Sequence, residues 1–350
     1  MKKIGIITIY NSNYGNRLQN YAMQESLKNF GYSVETIKNV SLLNKRKNNF
    51  EYLLRNFKYF FKKDDFNDGK DREKFFIEFN KFIKTTPYCF NWFNLKKLNN
   101  FDEFVIGSDQ VWNPNLGRLT KFDLASFTDK KKISYAASFG VSKLPNIYNE
   151  LLYNNLIKFE NISVRENAGN EILNNIGIDS EVVLDPTMLL TSKDWKKVEK
   201  KPLQYNGEKY ILNYFLGGLS YEYKKIIDDF AKKNNCKVIN ILDKNDPFYL
   251  SGPSEFLYLE ENAFLICTDS FHSSVFSIIF NRPFVVFDRN DTNIVNMNSR
   301  LETLLKKFKL ESRKFSGILS NDYLKHDYSI SYKILEEEKL KSIEFLKSNL

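Results

Sequence analysis

The chain has 350 residues and a net charge of +9, from 52 Lys and Arg against 43 Asp and Glu. This length exceeds the roughly 250–300 residues that one hydrophobic core usually serves, so we expect two domains. The 42% hydrophobic and 15% aromatic content excludes a largely disordered chain. The positive charge favours anionic partners, but no recognition helix, RNP-like motif or basic tail supports nucleic-acid binding.

Few residues suit metals or disulfides. The three cysteines, Cys89, Cys236 and Cys267, lie far apart without a CxxC pair, and the chain has only two histidines. This usage predicts a reducing compartment, with neither a disulfide framework nor a metal site. No run approaches 18 apolar residues, and the apolar part of residues 1–16 is too short for most signal peptides. We therefore expect a cytoplasmic protein, with peripheral membrane association as an open alternative.

The first half has the pattern of an α/β domain. Residues 4–9 (IGIITI) read as a strand buried on both faces, a helical stripe over residues 18–30 stops at Gly31, and residues 32–37 read as a second strand. Residues 40–100 predict inserted amphipathic helices. Within them, residues 50–63 either pack on their own domain or dock on an anionic membrane surface. Further segments of strand followed by polar loop continue to Pro186.

A second α/β pattern follows residues 191–209, a charged segment that we interpret as a linker. We expect two Rossmann-like domains that face each other across a cleft, at residues 1–190 and 191–330. Residues 331–350 predict an amphipathic helix that packs back on the first domain. In such sheets ligands bind beyond the carboxyl ends of the strands, so polar residues that follow apolar runs are the candidate site.

His272 follows the apolar run FLICTD and precedes a helix predicted from about Ser274. The N–H groups and dipole of a helix N-terminus favour an anion, so a histidine there could donate a proton or contact a phosphate. The alternative is a histidine that only makes local hydrogen bonds. The second histidine, His326, lies in a charged segment and is interpreted as a surface residue.

Arginines and glycines also follow strand ends. Arg165 comes directly after ISV, where its planar fork would suit a phosphate or carboxylate, although a salt bridge with Glu166 is an alternative. Arg282 and Arg289 flank the strand PFVVF and could contribute to the same anion site. A Gly pair follows YILNYFL and would let the backbone approach a phosphate, or would simply form a turn; the pair is Gly217 and Gly218.

The loop GSDQVWNP is typical of sugar binding, because it combines hydrogen-bonding groups with an aromatic ring. A turn around a half-buried Trp is the alternative. A similar polar rim follows the first strand. The candidate acceptor-binding residues of the two segments are Ser108, Gln110, Trp112, Asn113, Asn13, Asn16, Arg17 and Gln19.

Six segments in order resemble the polysaccharide pyruvyl transferase family. They are NYGNRLQNYAMQ (13–24), GSDQVWNP (107–114), SYAASFG (134–140), SVRE (163–166), VLDPTMLL (183–190) and TDSFHSSVFSIIFNRPFV (268–285). Together they span the chain from residue 13 to about 300. The sequence departs from the family pattern at Ser273, where glycine usually follows the motif histidine. The serine would either crowd an anion pocket or add a hydroxyl to it.

The resemblance implies a GT-B-like fold, with the acceptor on the N-terminal side and the donor on the C-terminal side. It implies phosphoenolpyruvate as donor, and a cell-surface glycan or lipid-linked saccharide as acceptor. The product would be a pyruvate ketal in an exopolysaccharide, capsule or cell-wall polymer, with release of phosphate. No cofactor or metal would be needed.

In family terms His272 resembles the catalytic histidine and Arg165 a donor-binding arginine. His272 would protonate C3 of phosphoenolpyruvate, and either Asp109 or Asp269 would accept the proton of a sugar hydroxyl. The remaining residues expected around the donor are Ser270, Ser273, Ser274, Gly217, Gly218 and Arg289.

Two other functions are compatible with the sequence. A GT-B glycosyltransferase with a nucleotide-sugar donor would need the same fold and a basic phosphate site, but would release a nucleoside diphosphate. A non-catalytic glycan-binding protein would tolerate the loss of His272.

Overall fold

The computed structural model describes residues 1–38, 68–87, 95–289 and 298–350, and the side chains of residues 68–71 and 298–299 are not among those described. The expectations for residues 50–63 and for Cys89 lie outside the described residues.

The N-terminal half contains one parallel sheet with strand order β2-β1-β3-β4-β5-β6. Strands β3 and β4 are buried along their whole length, which explains why their sequences show no alternation. The elements of this half are β1 (Lys3–Ile7), α1 (Tyr14–Asn29), β2 (Ser33–Thr36), α2 (Asp68–Phe79), β3 (Glu103–Ile106), β4 (Lys132–Ala137), α3 (Asn149–Leu156), β5 (Ile162–Val164), α4 (Asn167–Asn174) and β6 (Glu181–Val182).

The C-terminal half contains a second parallel sheet with strand order β10-β9-β7-β8. The strand order reverses between β1 and β3 in the first sheet and between β7 and β9 in the second, which is where such sheets bind ligands. The elements of this half are α5 (Ser192–Lys196), β7 (Tyr210–Tyr214), α6 (Tyr221–Lys233), β8 (Lys237–Asn240), α7 (Pro253–Asn262), β9 (Leu265–Thr268), α8 (Phe271–Ile279), β10 (Phe284–Val286), α9 (Asn298–Lys307) and α10 (Ser329–Asn349).

The segment expected to be a linker is a packed connection. Thr191 and Asp194 form a capping box that starts α5, and the Trp195 ring is fully buried. Its ring centroid lies 5.6 Å from that of Tyr21 and 5.0 Å from that of Phe276, one residue from each half. The connection between the two sheets is therefore packed against both halves around Trp195.

An aromatic core shared by both halves joins them. Tyr14, at the start of α1, stacks on Phe256 of α7 with ring centroids 4.5 Å apart, and on Phe76 of α2 at 5.1 Å. The Tyr14 hydroxyl donates a hydrogen bond to the backbone oxygen of Ser251 at 2.7 Å. Burial of several aromatic rings at one junction stabilises the halves against each other.

The last helix also connects the halves. Near its C-terminal end, α10 buries Phe345 and Leu346 in a cluster with residues of β1, β3 and β4. The Ser342 hydroxyl accepts a hydrogen bond from the backbone N–H of Leu184 at 3.0 Å. The helix therefore packs on the N-terminal sheet although it follows the C-terminal sheet in sequence.

Candidate active site

His272 lies in the first turn of α8, directly beyond the carboxyl end of β9. The helix begins at Phe271, three residues earlier than the sequence predicted, so the histidine is part of the helix rather than of the loop before it. Its side chain is nearly buried, with 8% of the residue exposed. The Nε2 atom makes no hydrogen bond within the described part of the chain.

Asp185 faces this imidazole from the N-terminal half. The His272 Nε2 and Asp185 Oδ2 atoms are 3.7 Å apart, slightly longer than a hydrogen bond. The same Oδ2 accepts hydrogen bonds from Arg165 Nη1 at 2.9 Å and from the Ser108 hydroxyl at 3.0 Å. Both the backbone N–H and the hydroxyl of Thr187 bind the other carboxylate oxygen. Asp185 is thus the centre of a buried polar network.

Burial alone would raise the pKa of the Asp185 carboxyl, because it removes the charge from water. His272, Arg165 and the Thr187 N–H outweigh this effect and hold the pKa well below its usual value. Sequence reasoning did not single out Asp185, although it quoted the segment that contains it. The Asp-Pro pair after an apolar run was the available signal, since an Asp there caps the turn Pro186–Leu189.

The first turn of α1 contacts the histidine ring. A Cβ atom added to Gly15 would lie 2.1 Å from His272 Nδ1, so only glycine allows this contact. The ring is therefore bounded by α1 on one side and by Asp185 on another, both from the N-terminal half. The candidate site is formed by both halves together.

Arg165 is enclosed by acidic residues. Its Nη2 atom lies 3.4 Å from Asp109 Oδ1 and its Nε atom 3.8 Å from Glu166 Oε2, in addition to the bond with Asp185. The guanidinium carbon also lies 4.5 Å from the centroid of the Phe271 ring. Burial would lower the pKa of Arg165, but Asp109 and Asp185 raise it above the usual value. The predicted salt bridge with Glu166 is the loosest of its three ion pairs.

Asp109 contacts several of the candidate site residues that the sequence predicted in the N-terminal half. Its backbone is in the left-handed region, at φ 63°, which directs the loop after β3. One carboxylate oxygen accepts a hydrogen bond from the Asn16 amide, and the other accepts one from the Gln110 N–H at 2.8 Å. Asn13 caps α1 through the N–H of Asn16. Asp109, Asn16 and Arg165 therefore lie next to each other.

Asp269 fastens two loops of the C-terminal half. Its carboxylate accepts hydrogen bonds from the N–H groups of Leu216 and Gly217, at 2.7 and 2.8 Å. Arg289 donates from Nε to the same carboxylate at 3.1 Å. A Cβ atom at Gly217 would lie 2.2 Å from Arg289 Cγ, so this glycine is needed for close packing. Gly218 has φ 79° and forms the turn.

Two serines expected around the donor have other hydrogen-bond partners. The Ser273 hydroxyl donates to Oε1 of Glu260 at 2.5 Å, and the Ser274 hydroxyl donates to the backbone oxygen of Ser270 at 3.0 Å. Glu260 is fully buried, and burial raises the pKa of its carboxyl well above the usual value. Ser273 stands where the family usually has glycine, and its hydroxyl therefore binds a buried glutamate of the same half. That the helix N-terminus at these serines binds the donor stays a prediction.

The expectation that Trp112 stacks on a sugar ring is corrected. Trp112 has 0% exposure, packs on Phe139, and donates its indole N–H to the Asp123 carbonyl at 3.2 Å. Its ring has no face available to a ligand. The amide of Asn113 binds the side chain of Gln110 at 2.5 Å, so these two residues stabilise the loop that Trp112 anchors.

The remaining predicted residues are spread over the fold. Gln19 binds the Thr8 hydroxyl at 3.0 Å within the N-terminal half, and Arg17 is buried against the Tyr10 ring. Arg282 precedes β10 and lies at its amino end, so it cannot share a site with Arg289 at the carboxyl end. His326 contacts the backbone oxygens of two nearby residues, Leu324 and Asn281, each at 3.1 Å.

Within residues 1–38, 68–87, 95–289 and 298–350, no group of three or more His, Cys, Asp or Glu side chains is arranged to hold a metal ion. None of the helices in these ranges is both long and apolar enough to cross a membrane.

One known protein family matches most of the chain. Residues 13–291 match the family described as polysaccharide pyruvyl transferase. The chain belongs to this family. The match includes His272, Asp185, Arg165 and Gly15, so the buried network lies inside the family region. Membership places this pyruvyl transferase family protein in an enzyme class that acts on saccharides.

Two solved structures are similar to this chain over most of its length. The UDP-GlcNAc 2-epimerase from Methanocaldococcus jannaschii is similar with a TM-score of 0.50 and 15% identity, over 96% of this chain and 92% of that chain. A glycosyltransferase from Rickettsia africae ESF-5 has a TM-score of 0.48 and 13% identity, over 98% of this chain and 94% of that chain. The two parallel sheets and the likeness to the Methanocaldococcus jannaschii structure confirm the GT-B-like fold predicted for this polysaccharide pyruvyl transferase family member. A search of curated proteins finds no significant match.

Proposed function

We propose that this enzyme transfers the pyruvyl group of phosphoenolpyruvate to two hydroxyls of one sugar, forming a ketal and releasing phosphate. The observation that carries the proposal is the pairing of His272 with Asp185 across the two halves, 3.7 Å apart, within the region that matches the family. A nearly buried imidazole beside a fixed carboxylate is held in one orientation, as a proton donor needs to be. The helix N-terminus at α8 favours the anionic donor.

The proposed reaction balances with the residues present. His272 protonates C3 of phosphoenolpyruvate, which leaves C2 electron-poor. One sugar hydroxyl adds to C2 and loses its proton to a base, and a second hydroxyl displaces phosphate from C2. Of the two hydroxyl protons, one replaces the proton that His272 gave and the other leaves with the phosphate. Orientation of both substrates supplies a large part of the rate.

We propose Asp109 as the base. It lies in the N-terminal half, the expected acceptor side, beside Asn16 and Arg165. The alternative, Asp269, lies in the C-terminal half, where its carboxylate accepts hydrogen bonds from the N–H groups of Leu216 and Gly217 and from Arg289. Protonation of Asp269 would loosen the two loops that it connects.

The acceptor is proposed to be a cell-surface glycan or its lipid-linked precursor. We accordingly propose a cytoplasmic enzyme, free or at the inner face of the membrane. The reaction is expected to need no metal or organic cofactor, because phosphoenolpyruvate supplies both the electrophile and the leaving group.

The test begins with the donor. The full chain is mixed separately with phosphoenolpyruvate and with UDP-N-acetylglucosamine, and binding is measured by calorimetry. Phosphate release is then measured with surface glycan of the producing cell, from which acid-labile ketals have been removed by mild acid. Binding of phosphoenolpyruvate, followed by acceptor-dependent phosphate release, supports the proposal. Binding of the nucleotide sugar with release of nucleoside diphosphate would instead establish a glycosyltransferase.

A further inference from the structure

The first turn of α1 contains a buried arginine, Arg17, that the protein leaves partly unsatisfied. Only 5% of the residue is exposed. Its guanidinium carbon lies 3.6 Å from the centroid of the Tyr10 ring, in the loop that follows β1. Within the described residues, its Nε and Nη1 atoms make no hydrogen bond. Burial lowers the pKa of Arg17, and the opposing effects of Tyr10 and Glu73 do not restore it.

The Arg17 guanidinium lies near the N-terminus of its own helix. Side chains of a helix lean towards its N-terminus, and the contact with Tyr10, which precedes α1, shows that Arg17 does so. The first N–H groups of a helix have no partner within it, and here the Asn13 side chain caps one of them. The N–H groups of Tyr14 and Gly15 make no hydrogen bond in the described part of the chain. Free N–H groups and a buried guanidinium therefore lie at the same helix end.

This end of α1 faces the candidate reaction centre. Gly15 contacts the His272 ring so closely that no Cβ atom would fit between them. The next residue, Asn16, donates a hydrogen bond to Asp109, the proposed base. The loop before the helix is exposed at residues 11–12, which gives a ligand access from solvent. An anionic group bound at this helix end would lie close to both proposed catalytic residues.

The charges at this helix end lack a counter-charge. A buried cation without a partner is costly, and the contact with the Tyr10 ring offsets only part of that cost. The helix dipole adds positive potential, and the first turn of α1 contains no acidic residue. A bound anion would satisfy the guanidinium and the free N–H groups together. Since the donor is expected at α8 of the other half, the anion at α1 belongs to the acceptor.

We propose that Arg17 and the N-terminus of α1 bind a carboxylate or phosphate of the acceptor, which is therefore an anionic saccharide. This inference rests on the proposed function and specifies its acceptor class. A carboxylate would belong to a uronic acid residue of the glycan, and a phosphate to the diphosphate of a lipid-linked precursor. The planar guanidinium suits both groups, because it can donate two parallel hydrogen bonds. The anchored acceptor would then present its hydroxyls to Asp109.

The test measures anion binding in the full chain saturated with phosphoenolpyruvate, so that the donor site is filled. D-Glucuronate and inorganic pyrophosphate are titrated separately into the wild type, Arg17→Gln and Arg17→Lys by calorimetry. We expect the wild type to bind one of the two probes, and Arg17→Gln to bind it about 10- to 100-fold more weakly. Arg17→Lys keeps the charge but loses the fork, so its affinity should be intermediate.

Two further measurements separate acceptor binding from other effects. Phosphoenolpyruvate should bind Arg17→Gln as tightly as it binds the wild type. In turnover with the ketal-free surface glycan, the KM for the glycan should rise in Arg17→Gln by more than kcat falls. A purely structural role of Arg17 would lower the stability without this split between KM and kcat.

Arg313→Gln is the matched control. Arg313 is also buried, with 9% exposure, and its guanidinium carbon lies 5.6 Å from the centroid of the Tyr328 ring. Unlike Arg17, it donates hydrogen bonds to the backbone oxygens of Tyr323 and Lys325. This variant should lose thermal stability and keep the wild-type affinity for the probe and the donor. If Arg17→Gln does not fold, Arg17→Lys decides the question.

Each result has a definite meaning. Glucuronate binding that depends on Arg17 supports an acceptor with a uronic acid, and pyrophosphate binding supports a lipid-linked one. If the wild type with bound phosphoenolpyruvate binds neither probe, or if the folded Arg17 variants bind it equally well, the inference is overturned and the proposed function stays intact. Loss of phosphoenolpyruvate affinity in Arg17→Gln, with probe binding unchanged, would also overturn it. If the wild type binds no phosphoenolpyruvate, the proposed function fails and this inference fails with it.

Discussion

The His272 imidazole and the Asp185 carboxylate come from opposite halves of the protein and face each other with 3.7 Å between Nε2 and Oδ2. Asp185 is in turn bonded to Arg165 and Ser108, so the histidine meets a fixed carboxylate rather than a mobile one. The relative placement of the two halves therefore sets the geometry of the candidate proton donor.

Asp185→Asn removes the charge that pairs with Arg165 and faces His272. Breaking a buried ion pair typically costs about 3–5 kcal/mol, so the free energy of unfolding should fall by that order. Phosphate release should fall as well, because the imidazole loses its fixed partner. Urea unfolding and a phosphate-release assay measure the two effects. Asp194→Asn, at the cap of α5, is the control and should lower stability without changing the rate of phosphate release. Near wild-type turnover in Asp185→Asn would show that the buried network around Asp185 does not support the reaction.

His272→Gln should reduce acceptor-dependent phosphate release by about 10²–10⁴, as expected for loss of a general acid. Binding of phosphoenolpyruvate, measured by calorimetry, should remain within a few-fold of the wild type. His326→Gln provides the matched control, since the ring nitrogens of His326 contact backbone oxygens and its ring packs beside Tyr328. A His272→Gln protein that turns over within a few-fold of the wild type would show that another group supplies the proton.

Gly15→Ala should reduce activity although it adds only one methyl group. The new Cβ would lie 2.1 Å from His272 Nδ1, so the ring or the start of α1 must move. Displacement of a catalytic group by about 1 Å can cost about 100-fold in rate. Gly169→Ala is the control, because its Cβ would meet Val164, no closer than 3.3 Å, rather than the His272 ring. The idea fails if the two alanine variants have the same kcat.

The two candidate bases can be separated by comparing Asp109→Asn with Asp269→Asn. Asp109→Asn should lower kcat by about 10²–10⁴ while donor affinity changes little. Asp269→Asn should mainly lower the melting temperature and donor affinity, because it weakens the bonds to Leu216, Gly217 and Arg289. Turnover assays and calorimetry on both variants show which of the two carboxylates is the base. The reverse pattern would make Asp269 the base.

Glu260→Gln should change how stability depends on pH. Burial raises the pKa of Glu260 well above 4.5, and the Ser273 hydroxyl offsets only part of this. Above pH 4.5 the folded protein keeps a proton that the unfolded chain has lost, so stability falls as pH rises. The slope is up to about 1.4 kcal/mol per pH unit, until the raised pKa is passed.

The Glu260→Gln variant lacks this titration. It should therefore match the wild type near pH 4 and become progressively more stable than the wild type towards pH 8. Urea unfolding at several pH values measures the difference. Ser273→Gly, which restores the residue usual in the family, serves as the comparison, because it removes the hydroxyl and keeps the carboxyl. Parallel stability profiles for wild type and Glu260→Gln would show that Glu260 does not titrate differently in the folded state.

The sequence predicted the two parallel sheets and the place of His272 well, for a physical reason. Strands buried on both faces are continuous apolar runs, and the polar residue that follows such a run lies at the carboxyl edge of the sheet. Asp185 was harder to recognise because it follows β6, a strand of only two residues, Glu181–Val182.

The burial of individual side chains was also difficult to predict from the sequence. Trp112 and the serine pair after His272 have side chains that suit a ligand, yet their partners are groups of the protein: the Asp123 carbonyl, Glu260 and the Ser270 carbonyl. A loop rich in polar residues has the same composition whether it binds a sugar or stabilises itself. Only the positions of the partners distinguish the two cases.

The bond from the Leu184 N–H to Ser342 joins residues 158 positions apart, and Asp185 is the next residue after Leu184. During synthesis the ribosome makes the whole N-terminal sheet long before it makes α10. The nascent N-terminal half therefore cannot finish the loop that presents Asp185 until α10 has emerged and docked. Catalytic competence is then acquired late, and a fragment that ends before α10 should reach neither its full core nor its active geometry.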